Sequence, residues 1–154
     1  MKKFKFCYLI LLMGCTNSSI DDLEIGEPFD NQAAITGQWD LVEVRYVDNL
    51  DIRTPKRFTD VTSFFNESAA TIEFEATSFT YTHGSGPNFL GNSGNWAFDD
   101  AAFPEAVVLN ANTTLKLKEP VRSFSESLIL ILERKCEDKT ISSYEYHFNR
   151  RQQS

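Results

Sequence analysis

From residue 35 to residue 150, apolar and polar side chains alternate in short stretches broken by turn-forming residues, with almost no sustained helical periodicity. This pattern constrains the fold more than any other feature of the chain. A period of two sends successive side chains to opposite faces of a strand, so it demands a sheet with one dry and one wet face. The alternating stretches are 38–47, 70–75, 79–83, 94–98, 106–109, 114–118, 123–134 and 141–150. In the last of them Tyr144, Tyr146 and Phe148 share a face opposite Glu145, His147 and Asn149. In 123–134 the row Phe124, Leu128, Leu130 and Leu132 is backed by Ile129 and Ile131, which predicts a strand covered on both sides at its centre. Eight short strands in hairpin spacing predict an all-β domain, an eight-stranded antiparallel up-and-down barrel.

One helix interrupts the strands. Thr54 can cap, Pro55 suits a first helical position, and Phe58, Val61, Phe64 and Phe65 recur at steps of three and four. The spacing predicts an amphipathic helix over 55–66, with Phe64 and Phe65 packed onto one end of the barrel rather than held out as a partner-binding hook. A chain of 154 residues suits one compact domain of this kind, and a monomer is expected.

The N-terminal region reads as an address rather than a fold. Residues 1–14 carry Lys2, Lys3 and Lys5, then an apolar run from Phe6 to Met13, and end before Cys15. Such a run is too short for a permanent membrane span and has the order of a signal peptide. Leu12-Met13-Gly14-Cys15 resembles a bacterial lipobox, which implies cleavage before Cys15 and a lipid anchor, with acyl chains such as palmitate, on its sulfur. Thr16 in place of an aspartate implies sorting to the outer membrane, facing the periplasm or the cell surface. Residues 16–33 hold Asp21, Asp22, Glu24, Glu27 and Asp30 and no Lys or Arg, so 15–34 reads as a lipidated cysteine followed by a solvated acidic tether. Ser18-Ser19-Ile20-Asp21-Asp22 loosely resembles an acidic surface-export tag, with a plain linker as the other reading. Residues 151–154 form a polar tail. Removing the signal takes the net charge from −7 to about −10, which excludes nucleic acid as a natural partner. Cys136 then stands alone beside Cys15, so no intramolecular disulfide is expected, and in the charged turn 134–138 it reads as an inert thiol.

The opening strand carries a second resemblance. Thr36-Gly37-Gln38-Trp39-Asp40-Leu41-Val42 is similar to the Gly-x-Trp start of lipocalin-like barrels. The later motifs, among them Ile72-Glu73-Phe74, Phe79-Thr80-Tyr81-Thr82, Gly94-Asn95-Trp96-Ala97-Phe98, Leu128-Ile129-Leu130 and Tyr144-Glu145-Tyr146-His147-Phe148, follow the order of the lipocalin-like domains of bacterial outer-membrane lipoproteins. The resemblance implies that Gly37 and Trp39 close the barrel bottom and that a late arginine, Arg150, packs over Trp39; a solvated basic terminus is the other reading of Arg150. The chain is shorter than typical lipocalins and lacks their C-terminal helix. Phe79, Tyr81, Trp96, Phe124, Tyr144 and Tyr146 are candidates to line a cavity for a small apolar ligand. The same side chains can equally fill the barrel, since eight strands allow either a packed core or one small ligand.

No pattern for catalysis or metal binding emerges. His83 and His147 lie on different predicted strands without ligand spacing around them, and no metal or other cofactor is expected. The glycine spacing from Gly86 to Gly91 resembles a phosphate-binding loop, but Asn92 stands where the lysine belongs. No serine sits in a nucleophile elbow, and neither Glu73/Glu75 nor Asp99/Asp100 is singled out as an acid-base pair. The expectation is a non-catalytic binding or envelope-accessory module; a protein or glycan interaction module with a filled core is the alternative. Replacing Cys15 with Ala is expected to abolish incorporation of labelled fatty acid and to release the protein from membranes, as membrane fractionation would read out.

Overall fold

The computed structural model describes residues 29–152 except 54, 66–69, 85 and 125. Cys15, the expected signal peptide, the expected tether up to residue 28, Thr54, Asn66 and residues 153–154 lie outside the described residues. In chain order the elements are α1 (Asn31–Ile35), β1 (Gly37–Asp48), β2 (Phe58–Asp60), α2 (Thr62–Phe65), β3 (Thr71–Phe74), β4 (Ser78–Thr82), β5 (Ser93–Phe98), β6 (Ala106–Leu109), β7 (Thr113–Leu117), a 3-10 turn (Val121–Ser123), β8 (Ser127–Cys136) and β9 (Lys139–Arg150). All neighbouring strands are antiparallel, and β1 also pairs with β9. Strands β1 and β3 to β9 therefore close an eight-stranded barrel, and β2 is an appendage on β1.

Strand lengths shape the barrel. β1, β8 and β9 run 12, 10 and 12 residues, whereas β3 to β7 run four to six. β7 meets β8 at only two register positions, Lys116 with Ile131 and Leu117 with Leu130. The three long strands consequently stand above the rest of the barrel as a ribbon. β1 serves two neighbours along one edge: residues 37–40 pair with β3 and residues 45–47 with β2. Between the two, a bulge at Val42 shifts the phase, so Trp39 and Leu41 face inward below it and Val44 above it. The backbone groups exposed by the changeover are taken by Thr62, whose Oγ1 accepts from the N–H of Val44, and by the N–H of Val61, which donates to the Val44 carbonyl.

The segment read as a helix over 55–66 is different. Residues 58–60 are strand β2, and helix is confined to the single turn α2. β3 leaves the upper edge of β1 unpaired, and Phe58, Thr59 and Asp60 take the ladder positions opposite Val47, Tyr46 and Arg45. Phe58 is held there under the Arg45 guanidinium, 4.4 Å from the ring centroid. Asp60 accepts from the N–H and hydroxyl of Thr62 and starts the turn, and these bonds hold its carboxyl below its ordinary range. Of the four periodic apolar residues, Phe65 enters the core, Val61 packs against it, and Phe58 and Phe64 stay 51% and 65% exposed.

The folded unit also starts earlier than residue 35. Asp30 caps α1 by accepting from the N–H groups of Gln32 and Ala33 at 2.9 and 3.0 Å. Asn31 and Gln32 donate side-chain amides to the carbonyls of Ala101 and Ala76, and Ile35 is fully buried. Residues 31–35 thus cover the end of the barrel where β1 begins and β9 finishes, rather than continuing the tether. Beneath them the indole of Trp39, 0% exposed, donates to the Ile35 carbonyl at 2.8 Å. The Arg150 guanidinium lies 4.1 Å over that indole and donates to the carbonyls of Thr36, Ala34 and Phe124. Gly37 adopts φ +123°, and a Cβ there would stand 3.2 Å from Arg150 Nη1. Trp39→Ala is expected to cost roughly 3–5 kcal/mol. Arg150→Lys, which keeps the charge but not the fork that reaches three carbonyls, is expected to cost about 1–3 kcal/mol. Urea unfolding followed by circular dichroism checks both.

Candidate functional site

The site is set by the inner face of the long ribbon. Register places Leu128 opposite Phe148, Leu130 opposite Tyr146, Leu132 opposite Tyr144 and Arg134 opposite Ser142. Because alternate residues share a face, one column of side chains changes from purely apolar to tyrosine to cation as it rises out of the barrel. Leu128, Leu130, Tyr146 and Phe148 are buried; Leu132 and Tyr144 are half-buried, and Arg134 is exposed.

Two loops bring aromatic rings against this column. α2 inserts Phe65 edge-on to Tyr146 at 5.7 Å between centroids, and 5.9 Å from Tyr144. The β4–β5 connection contributes Phe89, 5.4 Å from Tyr144 and 6.2 Å from Phe65, and Tyr46 of β1 meets Tyr144 edge-on at 5.5 Å. Rings near these separations stabilise one another beyond the area they bury. Outside this aromatic layer a cavity of about 260 Å³ opens to solvent, lined by Phe89, Leu132, Glu133, Arg134, Lys135 and Tyr144. Glu133 is neutralised by Lys116 at 2.8 Å and Lys135 at 3.6 Å, and the hydrogen bond from Lys116 holds its carboxyl below the usual range. The Arg134 side chain makes no hydrogen bond or ion pair among the described residues.

The six side chains grouped as a ligand wall do not share one cavity. Phe79, Tyr81, Trp96, Phe124 and Tyr146 belong to one continuous buried core. Phe124 lies at the plugged end, where its carbonyl accepts from Arg150. Trp96 donates to the Glu75 carbonyl at 2.8 Å, packs edge-on to Phe74 and Phe98, and borders a surface recess beside α1 with Phe29 and Gln32. Tyr144 is the one of the six that lines the mouth cavity. Of its other lining residues the sequence marked only Leu132, as part of the inner row with Leu128 and Leu130, and Arg134 continues that alternation. Phe65 reaches this region from α2 and Phe89 from the β4–β5 connection, and no local pattern joins them.

The remaining polar candidates are spread over the surface. His147 sits on the outer face, where Glu43, Arg45, Glu145 and Lys118 surround it; partial burial and the nearby Arg45 push its pKa down. His83 stacks on Tyr81 at 6.2 Å, and its Nδ1 is 2.6 Å from the Gly84 carbonyl. Among the described residues no group of three or more His, Cys, Asp or Glu side chains is placed to hold a metal. Asp99 organises the β5–β6 connection by accepting from the N–H groups of Asp100, Glu105 and Ala106, and Cys136 is exposed at the end of β8. The chain is thus a closed antiparallel β-barrel with one plugged end and an aromatic mouth. No protein-family model matches it, and no curated protein is significantly similar in sequence.

The buried tyrosines make the fold sensitive to alkali. Burial pushes the Tyr81 phenol up to about 12 and raises that of Tyr146, whose hydroxyl is buried without a hydrogen-bond partner among the described residues. Below pH 10 both are neutral, folded or unfolded, and pH has no leverage through them. Above it the unfolded chain loses protons that the folded chain keeps, so stability falls as pH rises by about 1.4 kcal/mol per pH unit for each such tyrosine. Tyr81→Phe is expected to reduce that slope by about one tyrosine's share between pH 10 and about 12, measured by urea unfolding at stepped pH.

Proposed function

We propose that the chain is an outer-membrane lipoprotein, anchored through lipid on Cys15, whose lipocalin-like barrel is a non-catalytic module binding a small apolar ligand. The observation that carries this reading is the aromatic cavity at the mouth of a barrel whose other end is plugged by Trp39, Arg150 and α1. Concave sites lined by aromatic rings with a few convergent polar groups are the common form of small-molecule sites. The ligand sits on the aromatic layer at the mouth, above side chains that fill the barrel below. The lipid anchor rests on the lipobox-like residues 12–15 and on the acidic stretch that follows them.

A second reading, a glycan or protein interaction module, draws support from the recess beside α1. There Phe29, Trp96 and Phe98 combine with Asp30, Asn31 and Gln32, a mixture of flat apolar and hydrogen-bonding surface suited to a sugar face.

Native mass spectrometry of the protein purified from its own host tests the two against each other. The expected outcome is a bound small molecule on the wild type that is lost in Leu132→Trp, which fills the mouth, with little change in melting temperature. A wild type that carries no small molecule, or one that Leu132→Trp retains and Phe98→Ala loses, would move the site out of the mouth.

A further inference from the structure

We infer that the mouth cavity is selective for small anionic amphiphiles, with the Arg134 guanidinium receiving a carboxylate and Phe89, Leu132 and Tyr144 receiving the apolar body. This rests on the reading of the mouth as the ligand site and adds the chemical class of the ligand. Three observations carry it. The first is the direction of Arg134. It stands opposite Ser142 on the inner row that begins with Leu128 and lines the cavity, whose other charged lining residues, Glu133 and Lys135 of the alternate row, are paired with one another. An arginine that served only solubility would sit on the outer rows, where Glu43, Arg45, Lys118, Glu145 and Lys116 already form a paired network.

The second is its lack of a partner. Arg45, Arg53 and Arg151 are ion-paired to Glu43, Asp51 and Asp40, Arg122 lies over the Phe29 ring, and Arg150 is held by carbonyls and the Trp39 ring. Arg57 and Arg134 have no such engagement among the described residues, and of the two only Arg134 lines the mouth cavity, although the chain carries 22 acidic residues against 15 basic ones and could readily have supplied a partner. The carboxylate nearest in sequence, Glu133, is turned to Lys116 and Lys135. Glu137 and Asp138, in the turn beyond, do not line the cavity. A guanidinium offers a planar fork of donors that matches a carboxylate in two parallel bonds, so this position selects for that group over a neutral or cationic one.

The third is the order of chemistry along the wall. The cation is outermost, the half-buried Leu132 and Tyr144 lie next with Phe89, and the buried ring of Phe65 backs Tyr144 from the core. A ligand that satisfies all three levels has a charged end in water and an apolar end against rings. The volume of about 260 Å³ falls just below the usual range of drug-sized pockets and limits that body to a medium acyl chain or a single aromatic ring.

The experiment uses the full-length protein and three probes with the same ten-carbon chain: decanoate, decanol and decyltrimethylammonium, each below its micelle-forming concentration. Calorimetry is expected to show decanoate binding at least tenfold more tightly than either of the others. Arg134→Gln is expected to remove that preference, weakening decanoate at least tenfold and leaving decanol and the melting temperature unchanged, while Arg57→Gln, which deletes the same charge from another loop, changes none of these. Decanol binding as tightly as decanoate, or Arg57→Gln weakening decanoate as much as Arg134→Gln does, would overturn the anionic selectivity and leave the mouth as an apolar site. No binding of any of the three probes would overturn the mouth site itself.

Discussion

The stacking of the Arg150 guanidinium on the Trp39 indole is the contact on which the rest of the barrel depends. Trp39 is near the start of the first barrel strand and Arg150 ends the last, and the two are register partners across the seam that closes the sheet. The guanidinium faces of Arg150 and the indole provide the cation–π attraction, while its edge donates to carbonyls from α1, the following residue and the loop before β8. Two of those carbonyls sit at the C-terminal end of α1, where a cation is electrostatically favoured and intrahelical partners run out. One side chain therefore closes the sheet, ends the helix and fixes the loop. Bare Gly37 leaves the room that this arrangement requires.

Plugging one end determines what the other can do. Ile35, Trp39, Phe74, Phe79, Leu109, Leu115, Phe124 and Leu128 belong to one continuous core, so most of the apolar burial lies below the mouth. The strands β8, β9 and β1 are then free to overrun their shorter neighbours, because β7 releases β8 after Ile131. The inner face of the overrun has no opposing sheet. Phe65 and Phe89 cover part of it from loops, and what they leave uncovered is the cavity beneath Arg134. The Tyr146 hydroxyl, buried without a partner among the described residues, lies at the junction of the two regimes. Such a group typically costs about 1–3 kcal/mol, so the mouth is less optimised for stability than the plug.

The strand pattern was legible because alternation is a local property that survives in any sheet. The segments 106–109, 94–98 and 141–150 differ from β6, β5 and β9 by no more than two residues at an end. Where reading failed, a longer-range partner had overridden a local signal. Phe58 fits a helical stripe with Val61 and Phe65, but the vacant edge of β1 offered backbone hydrogen bonds and Arg45 offered a ring contact. The stretch read as strand from 123 becomes β8 only at 127, because residues 121–123 turn as 3-10 helix with Val121 packed inward toward α1. Residues 31–34 look polar enough for a tether, and only the distant carbonyls of Ala76 and Ala101 make them part of the fold.

The sequence by itself determined the class of sheet, the number of barrel strands and which face of each strand is dry, since all three follow from period-two alternation and turn residues. It could not decide where a cavity lies. Tyr81, Trp96, Phe124 and Tyr146 are equally aromatic and equally inward-facing, and whether such a side chain fills space or borders it depends on the lengths of strands far away in the chain. Tertiary structure made that choice through the mismatch between β7 and β8, which placed Tyr144 and Arg134 at an edge without an opposite wall. Periodicity fixes the direction of a side chain, and only the assembled barrel fixes what stands in front of it.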